Sequence, residues 1–176
     1  MAKTITLSLK KDLIFEAVKA ESFETGRIDK SDDPVKNAQA GALEQAGGEQ
    51  HQERMLLRYL KQAVGKFEAL MTEFVEPNTG SITDTLIAAN ADFNIVIIVS
   101  DRFQNGLASP ISSLCEDYLV SQMLFAWWRS RKPEFAKQYI LQGEDDIEHI
   151  RLCFSKKAPE ASSSEYTDVN GNVTNN

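Results

Sequence analysis

The chain has 176 residues, 42% of them hydrophobic and 26% charged, which is one domain's worth of sequence with enough apolar material to bury a core. Mean hydropathy of -0.33 excludes a membrane-embedded class, and a formal net charge of -7 with a pI near 4.9 disfavours wrapping or non-specific capture of a polyanion. Two cysteines, Cys115 and Cys153, lie among apolar neighbours at helical spacing and read as free buried thiols, suited to a reducing cytoplasm. The opening MAKTITLSLKKD lacks the apolar run and small-residue cleavage site of a secretory signal, which fits a protein made and kept inside a cell.

Ile5, Leu7 and Leu9 alternate with Thr4, Thr6, Ser8 and Lys10, the period of two of a strand with one face on a core. Asp12 then caps a first helix in which Leu13, Ile14, Ala17, Val18 and Phe23 recur at mostly helical spacing until Gly26 offers a stop. Over 29–50 the composition turns to Asp, Ser, Asn, Gln, Ala, Glu and Gly, with Val35 and Leu43 the exceptions, and reads as a flexible polar insertion without a core face.

The second helix is the clearest element: Met55, Leu56, Tyr59, Leu60, Val64, Phe67, Leu70, Met71 and Phe74 lay one apolar stripe from about Gln50 to Val75. Pro77, Asn78 and Gly80 stop it. SITDTLIAANADFNIVIIVS follows, two β-like runs about Asn90-Ala91-Asp92, read as a hairpin that joins the N-terminal strand in a small antiparallel sheet. Ser109-Pro110 then starts a third helix, apolar nearly all round after Tyr118, a pattern that belongs at the centre of a bundle or under a neighbouring subunit. Arg129, Ser130, Arg131 and Lys132 close it, and Pro133 opens a fourth helix that carries Phe135, Ala136, Tyr139, Ile140, Ile147, Ile150, Leu152, Cys153 and Phe154 inward past a bend at Gly143. The fold class is therefore α+β, mainly α: about four helices in a bundle with a small sheet, a single domain over 1–157, and a disordered polar tail over 158–176.

Chemistry is sparse. The apolar stretch Tyr118–Trp128 falls well short of the roughly 20 residues a bilayer span needs, so no membrane anchor is expected. Asp146-x-x-His149 has the one-turn spacing of a helical metal pair, but no second such pair exists, and Glu49 and Glu53 flank His51 on different helix faces. No metal, cofactor or catalytic residue is assigned, and phosphate loops, dinucleotide fingerprints, nucleophile elbows and CxxC pairs are absent. Trp127 and Trp128 pack the third helix on the fourth, and any indole left uncovered would anchor an interface, with Tyr118, Phe125, Arg129, Arg131 and Lys132 beside them.

The order of elements adds a reading of its own. A β start, a helix, a polar excursion, a long helix, β runs ending in VIIVSDRF, a helix finishing in AWW, a Pro-opened helix and IRLCFSKKAP before a polar tail resembles the small neck or head–tail connector (adaptor) proteins of tailed bacteriophages, most closely from Phe93 to Pro159. The resemblance implies a non-enzymatic virion protein, made in the bacterial host cytoplasm, that forms a homo-oligomeric ring, twelvefold by family expectation, between portal and tail proteins and lets DNA pass. The polar segment 29–50 and the tail depart from the compact form of that family. The alternative reading is a cytoplasmic helical protein–protein interaction module, and a third is an unrecognised metal enzyme.

Overall fold

A computed structural model describes residues 2–28, 34–47, 50–75, 93–155, 166–167 and 173–174. The fold is α+β and mainly α, five helices and a two-stranded antiparallel sheet among these residues.

Strand β1 (Ala2–Leu9) pairs antiparallel with β2 (Phe93–Ser100), in a register running from Ala2 opposite Ser100 to Leu9 opposite Phe93. Because side chains alternate, this register stacks Ile5, Leu7 and Leu9 beside Ile97, Ile95 and Phe93 on one face, and Leu7, Leu9 and all three β2 residues are buried. Lys3 ties the open end, donating from Nζ to the Phe103 carbonyl at 2.8 Å and to Asn105 Oδ1 at 2.7 Å, while Ser8 donates to Asn94 Oδ1 across the strands at 2.8 Å. On the far side of β2, Val75 forms a single bridge to Ile97, and the Ile98 N–H donates to the Phe74 carbonyl at 2.6 Å. The first strand of the expected hairpin falls at 81–90, outside the described residues; the partner of β2 is β1.

Helix α1 (Lys11–Ile28) does not stop at Gly26, which is buried inside it. Its inward stripe is Ile14, Val18, Ser22 and Thr25 rather than Leu13 and Ala17; Leu13 is 52% exposed, while the stem of Lys11 is buried with its ammonium over the Phe15 ring. The polar segment expected to lack structure carries α2 (Pro34–Glu44), with Pro34 at the first helical position and Val35 exposed. Its exit is pinned: the buried Ala46 N–H donates to Ser22 Oγ at 2.9 Å, and Gly47 takes φ 77°, where a Cβ would lie 2.6 Å from Lys19 Cε.

Helix α3 (Gln50–Leu70) keeps the expected stripe as far as Phe67, but Leu70 is exposed and the chain turns at Met71–Phe74 to deliver Val75 to the sheet. Helix α4 (Ala108–Trp128) follows a 3-10 turn at Asn105–Leu107, so its N-cap is Leu107, without a side-chain cap, and the expected cap Ser109 is already inside the first turn. Helix α5 (Pro133–Ser155) opens at Pro133 as expected and runs through Gly143 without interruption, but Leu152, expected inward, falls on its outer face and is exposed. Asp117 near Asp146 and Ser121 near Gly143 show that α5 returns antiparallel along α4. Within the tail, Tyr166–Thr167 (β3) and Val173–Thr174 (β4) form a short antiparallel pair.

Helix α4 is the axis of the molecule, contacted by α5, α3, α1 and β1. Its all-round apolar surface is therefore covered within one chain, which is the first of the two expected settings, the centre of a bundle: ten of the eleven residues from Tyr118 to Trp128 are buried, Phe125 alone being half-buried. No described helix is long and apolar enough to cross a membrane.

Candidate functional site

The double-tryptophan corner is structural. Trp127 and Trp128 are 1% and 0% exposed, and the chain reverses directly after them through Arg131 and Lys132 N–H bonds to the Trp128 carbonyl at 2.9 and 2.8 Å. The Arg131 guanidinium stacks over the Trp127 ring at 3.9 Å, and Phe135 from α5 meets Trp128 edge-on at 5.4 Å, with the Lys132 ammonium 5.3 Å from the Phe135 centroid. The basic cluster is thus a lid on the indoles. Trp127 and Trp128 offer no surface to a partner, and Tyr118 is buried beneath the protein surface, which corrects their expected role as interface side chains; of the seven residues so expected, Arg129 and Arg131 are exposed and Phe125 and Lys132 half-buried.

A groove runs between α3 and the α4–α5 hairpin. Its main chamber, about 460 Å³, is lined by Lys66 and Leu70 of α3, Tyr118 and Gln122 of α4, and Gly143 and Ile147 of α5. Glu144, Asp145, Glu148 and Arg151 of α5 complete the lining. A smaller chamber of about 120 Å³ continues past the same Lys66 and Gln122 to Phe125 and Arg129, so two residues expected at an interface do share this groove.

Gln122 organises the floor. It is 7% exposed, its Oε1 accepts from Lys66 Nζ at 2.8 Å, and its Nε2 lies so close to Gly143 that a Cβ there would collide with it. A glycine in mid-helix lowers helix stability, so the clearance it gives a buried amide explains its position. Arg151 donates to the Leu70 carbonyl at 2.8 Å and joins α5 to the end of α3. Tyr118 packs its ring 5.7 Å from Phe67; burial pushes its hydroxyl up to about 12, and that hydroxyl, like the Trp128 indole N–H, is buried without a hydrogen-bond partner among the described residues. Sequence reading did not single out Lys66, Gln122 or Arg151. The signal for Gln122 was present, a polar Ser-Gln pair inside an otherwise apolar run.

On the other flank of α5, α1 meets the hairpin through polar groups. Thr25 Oγ1 and Tyr139 OH share a buried 2.6 Å hydrogen bond. Desolvation raises the Glu21 carboxyl, with Asp117 adding to it against a hydrogen bond from Tyr139. Asp146 is raised to about 6, first by burial and then by the charge of Asp117, with His149 opposing and Asp145 adding. His149 is exposed, and no group of three His, Cys, Asp or Glu side chains among the described residues is placed to hold a metal ion, so Asp146 and His149 stand as an interacting pair rather than a ligand set. Cys115 is a buried free thiol whose pKa burial drives upward, and Cys153 is a half-buried one.

Comparison of the chain with protein-family models, curated proteins and solved structures found no match.

Proposed function

We propose that this chain is a non-catalytic structural protein, and in its finer form a neck component of a tailed-phage virion that assembles into a ring between portal and tail and lets DNA pass. The observation that supports it most is the antiparallel α4–α5 hairpin clamped at its corner by Arg131 over Trp127 and Phe135 against Trp128, the segment on which the connector resemblance rests. A rigid strut of this kind, flanked by the groove chambers and by exposed Leu141 and Leu152 on one face of α5, suits a part that holds neighbours in place. The net charge of -7 suits a passage along which DNA moves without adhering. With α4 covered by its own chain, ring contacts in this reading come from Phe125, Arg129 and the exposed face of α5. Co-expression with candidate portal and tail proteins, followed by electron microscopy and native mass spectrometry, should give a closed ring; a stable monomer beside those proteins would sink the proposal.

One observation favours a second reading. The self-coverage of α4 means that this helix needs no second copy to hide it, which supports a helical module that binds a partner protein through the groove. A one-to-one complex in the same experiment, with the gene away from portal, capsid and tail genes, would select it.

A further inference from the structure

We propose that the groove between α3 and the α4–α5 hairpin receives a lysine or arginine side chain from a partner protein, with the cationic head held at Glu144, Asp145 and Glu148. This rests on the reading of the chain as a protein that works by being held against partners. The main chamber, about 460 Å³, lies within the roughly 300–1,000 Å³ of ligand pockets and far exceeds what a bare ion needs. Its lining is graded: Leu70 and Ile147 supply apolar wall, and three carboxylates follow one another along the exposed edge of α5. An alkyl stem ending in a charge has that same grading.

The balance of charge favours a cation. Two lining cations face three lining carboxylates, and both cations already donate inward, Lys66 to Gln122 and Arg151 to the Leu70 carbonyl. The chain as a whole carries -7, and Glu21, Asp117 and Asp146 add negative potential from the opposite flank of the hairpin. The second, independent sign of a guest is Tyr118. It is 1% exposed, it lines the chamber, and among the described residues its buried hydroxyl lacks the partner that such groups nearly always have. An ammonium or guanidinium N–H donating to that oxygen would complete it.

The test is a titration of the isotope-labelled full chain with N-acetyl-arginine methylamide and N-acetyl-lysine methylamide, read by amide chemical shifts. Saturating shifts should appear at Gln122, Gly143 and Glu144 in the millimolar range, and the double change Glu144→Gln, Glu148→Gln should weaken binding about tenfold. Should that variant fail to fold, salt raised to about 0.5 M must weaken binding to the parent chain. No saturating shift, equal shifts with N-acetyl-glutamine methylamide, or indifference to both charge removal and salt would overturn the proposal. Spermidine saturating the same amides far below the capped residues would also overturn it, because a free amine would then be the guest. A failed titration leaves the ring reading standing, since rings can close through other faces; a chain that stays monomeric but binds the capped arginine supports the groove and sinks the ring.

Discussion

Gly143 and Gln122 make a pair whose energetics can be separated. An alanine in an exposed helix interior normally gains about 1 kcal/mol over glycine. At position 143 the added methyl meets Gln122 Nε2, and the amide cannot swing away without giving up its bond from Lys66. Gly143→Ala should therefore destabilise the protein by about 1 kcal/mol, the overpacking cost exceeding the propensity gain. In a Gln122→Ala background the same change should become neutral or stabilising, and urea unfolding of the four proteins reads the coupling directly. A glycine read from sequence as the site of a bend turns out to serve packing, because helical spacing alone does not say which neighbour faces it across the bundle.

The corner aromatics separate a core role from an interface role. Trp127→Ala should cost about 3–5 kcal/mol in the unfolding of the isolated chain, because the indole is buried in the monomer. Arg131→Ala should cost only about 0.5–1 kcal/mol, since its stacked guanidinium is exposed on its other side. An interface anchor would show the opposite pattern, a near-normal monomer with impaired assembly. The adjacency of two indoles to a basic cluster was legible in the sequence; the guanidinium lying flat on one indole was not, because it depends on how tightly the chain reverses between Trp128 and Pro133.

At the scale of elements, period and propensity decided what could be read. The alternation in β1 and the stripe of α3 were each carried by several residues in phase and the start of α5 by its proline, and each element formed as expected except that α3 ends at Leu70, short of Val75. Helix α2 was not legible by that route, because a helix built of Ala, Gln, Asn and Lys with its one large described apolar side chain exposed has no stripe to detect. Tertiary contacts fix its exit instead, through the Ser22 hydroxyl, which accepts from Ala46 and donates to the Lys19 carbonyl. Ser22→Ala should lower global stability by only about 1 kcal/mol. It should speed hydrogen exchange across residues 34–47 by a larger factor than elsewhere, because the lost bond holds this segment to α1. Uniform acceleration along the chain would mean that α2 is held by other contacts.

At the scale of the whole molecule, the coverage of α4 shows what composition fixes and what it leaves open. An all-round apolar helix must be enclosed, and that requirement follows from composition alone. What encloses it depends on long-range contacts: β1 joined to β2 across more than eighty intervening residues, a pairing the two β patterns did suggest, and α1 laid against the hairpin, which no local pattern shows.

That enclosure also sets how stability depends on pH. Asp146 titrates near 6 in the folded chain against 3.8 for a free carboxyl, and desolvation raises Glu21 and Glu68 as well. A carboxyl whose folded pKa lies above its unfolded one binds its proton more tightly when folded. The stability it contributes is complete below the unfolded pKa and is lost as pH rises through the folded one. Tm should therefore rise as the buffer is taken from about pH 7.5 to about pH 5.5, opposite to the acid weakening typical of proteins held by carboxylate ion pairs. Approach to the pI of 4.9 also relieves self-repulsion in a chain of charge -7, so a rise in the parent alone does not identify its source. Asp146→Asn separates the two. The variant should be more stable than the parent at the higher pH, where the parent carries a half-buried carboxylate with one oxygen unpartnered, and it should gain less on acidification. A variant that keeps the parent's full pH slope would assign the effect to overall charge and remove Asp146 from the account.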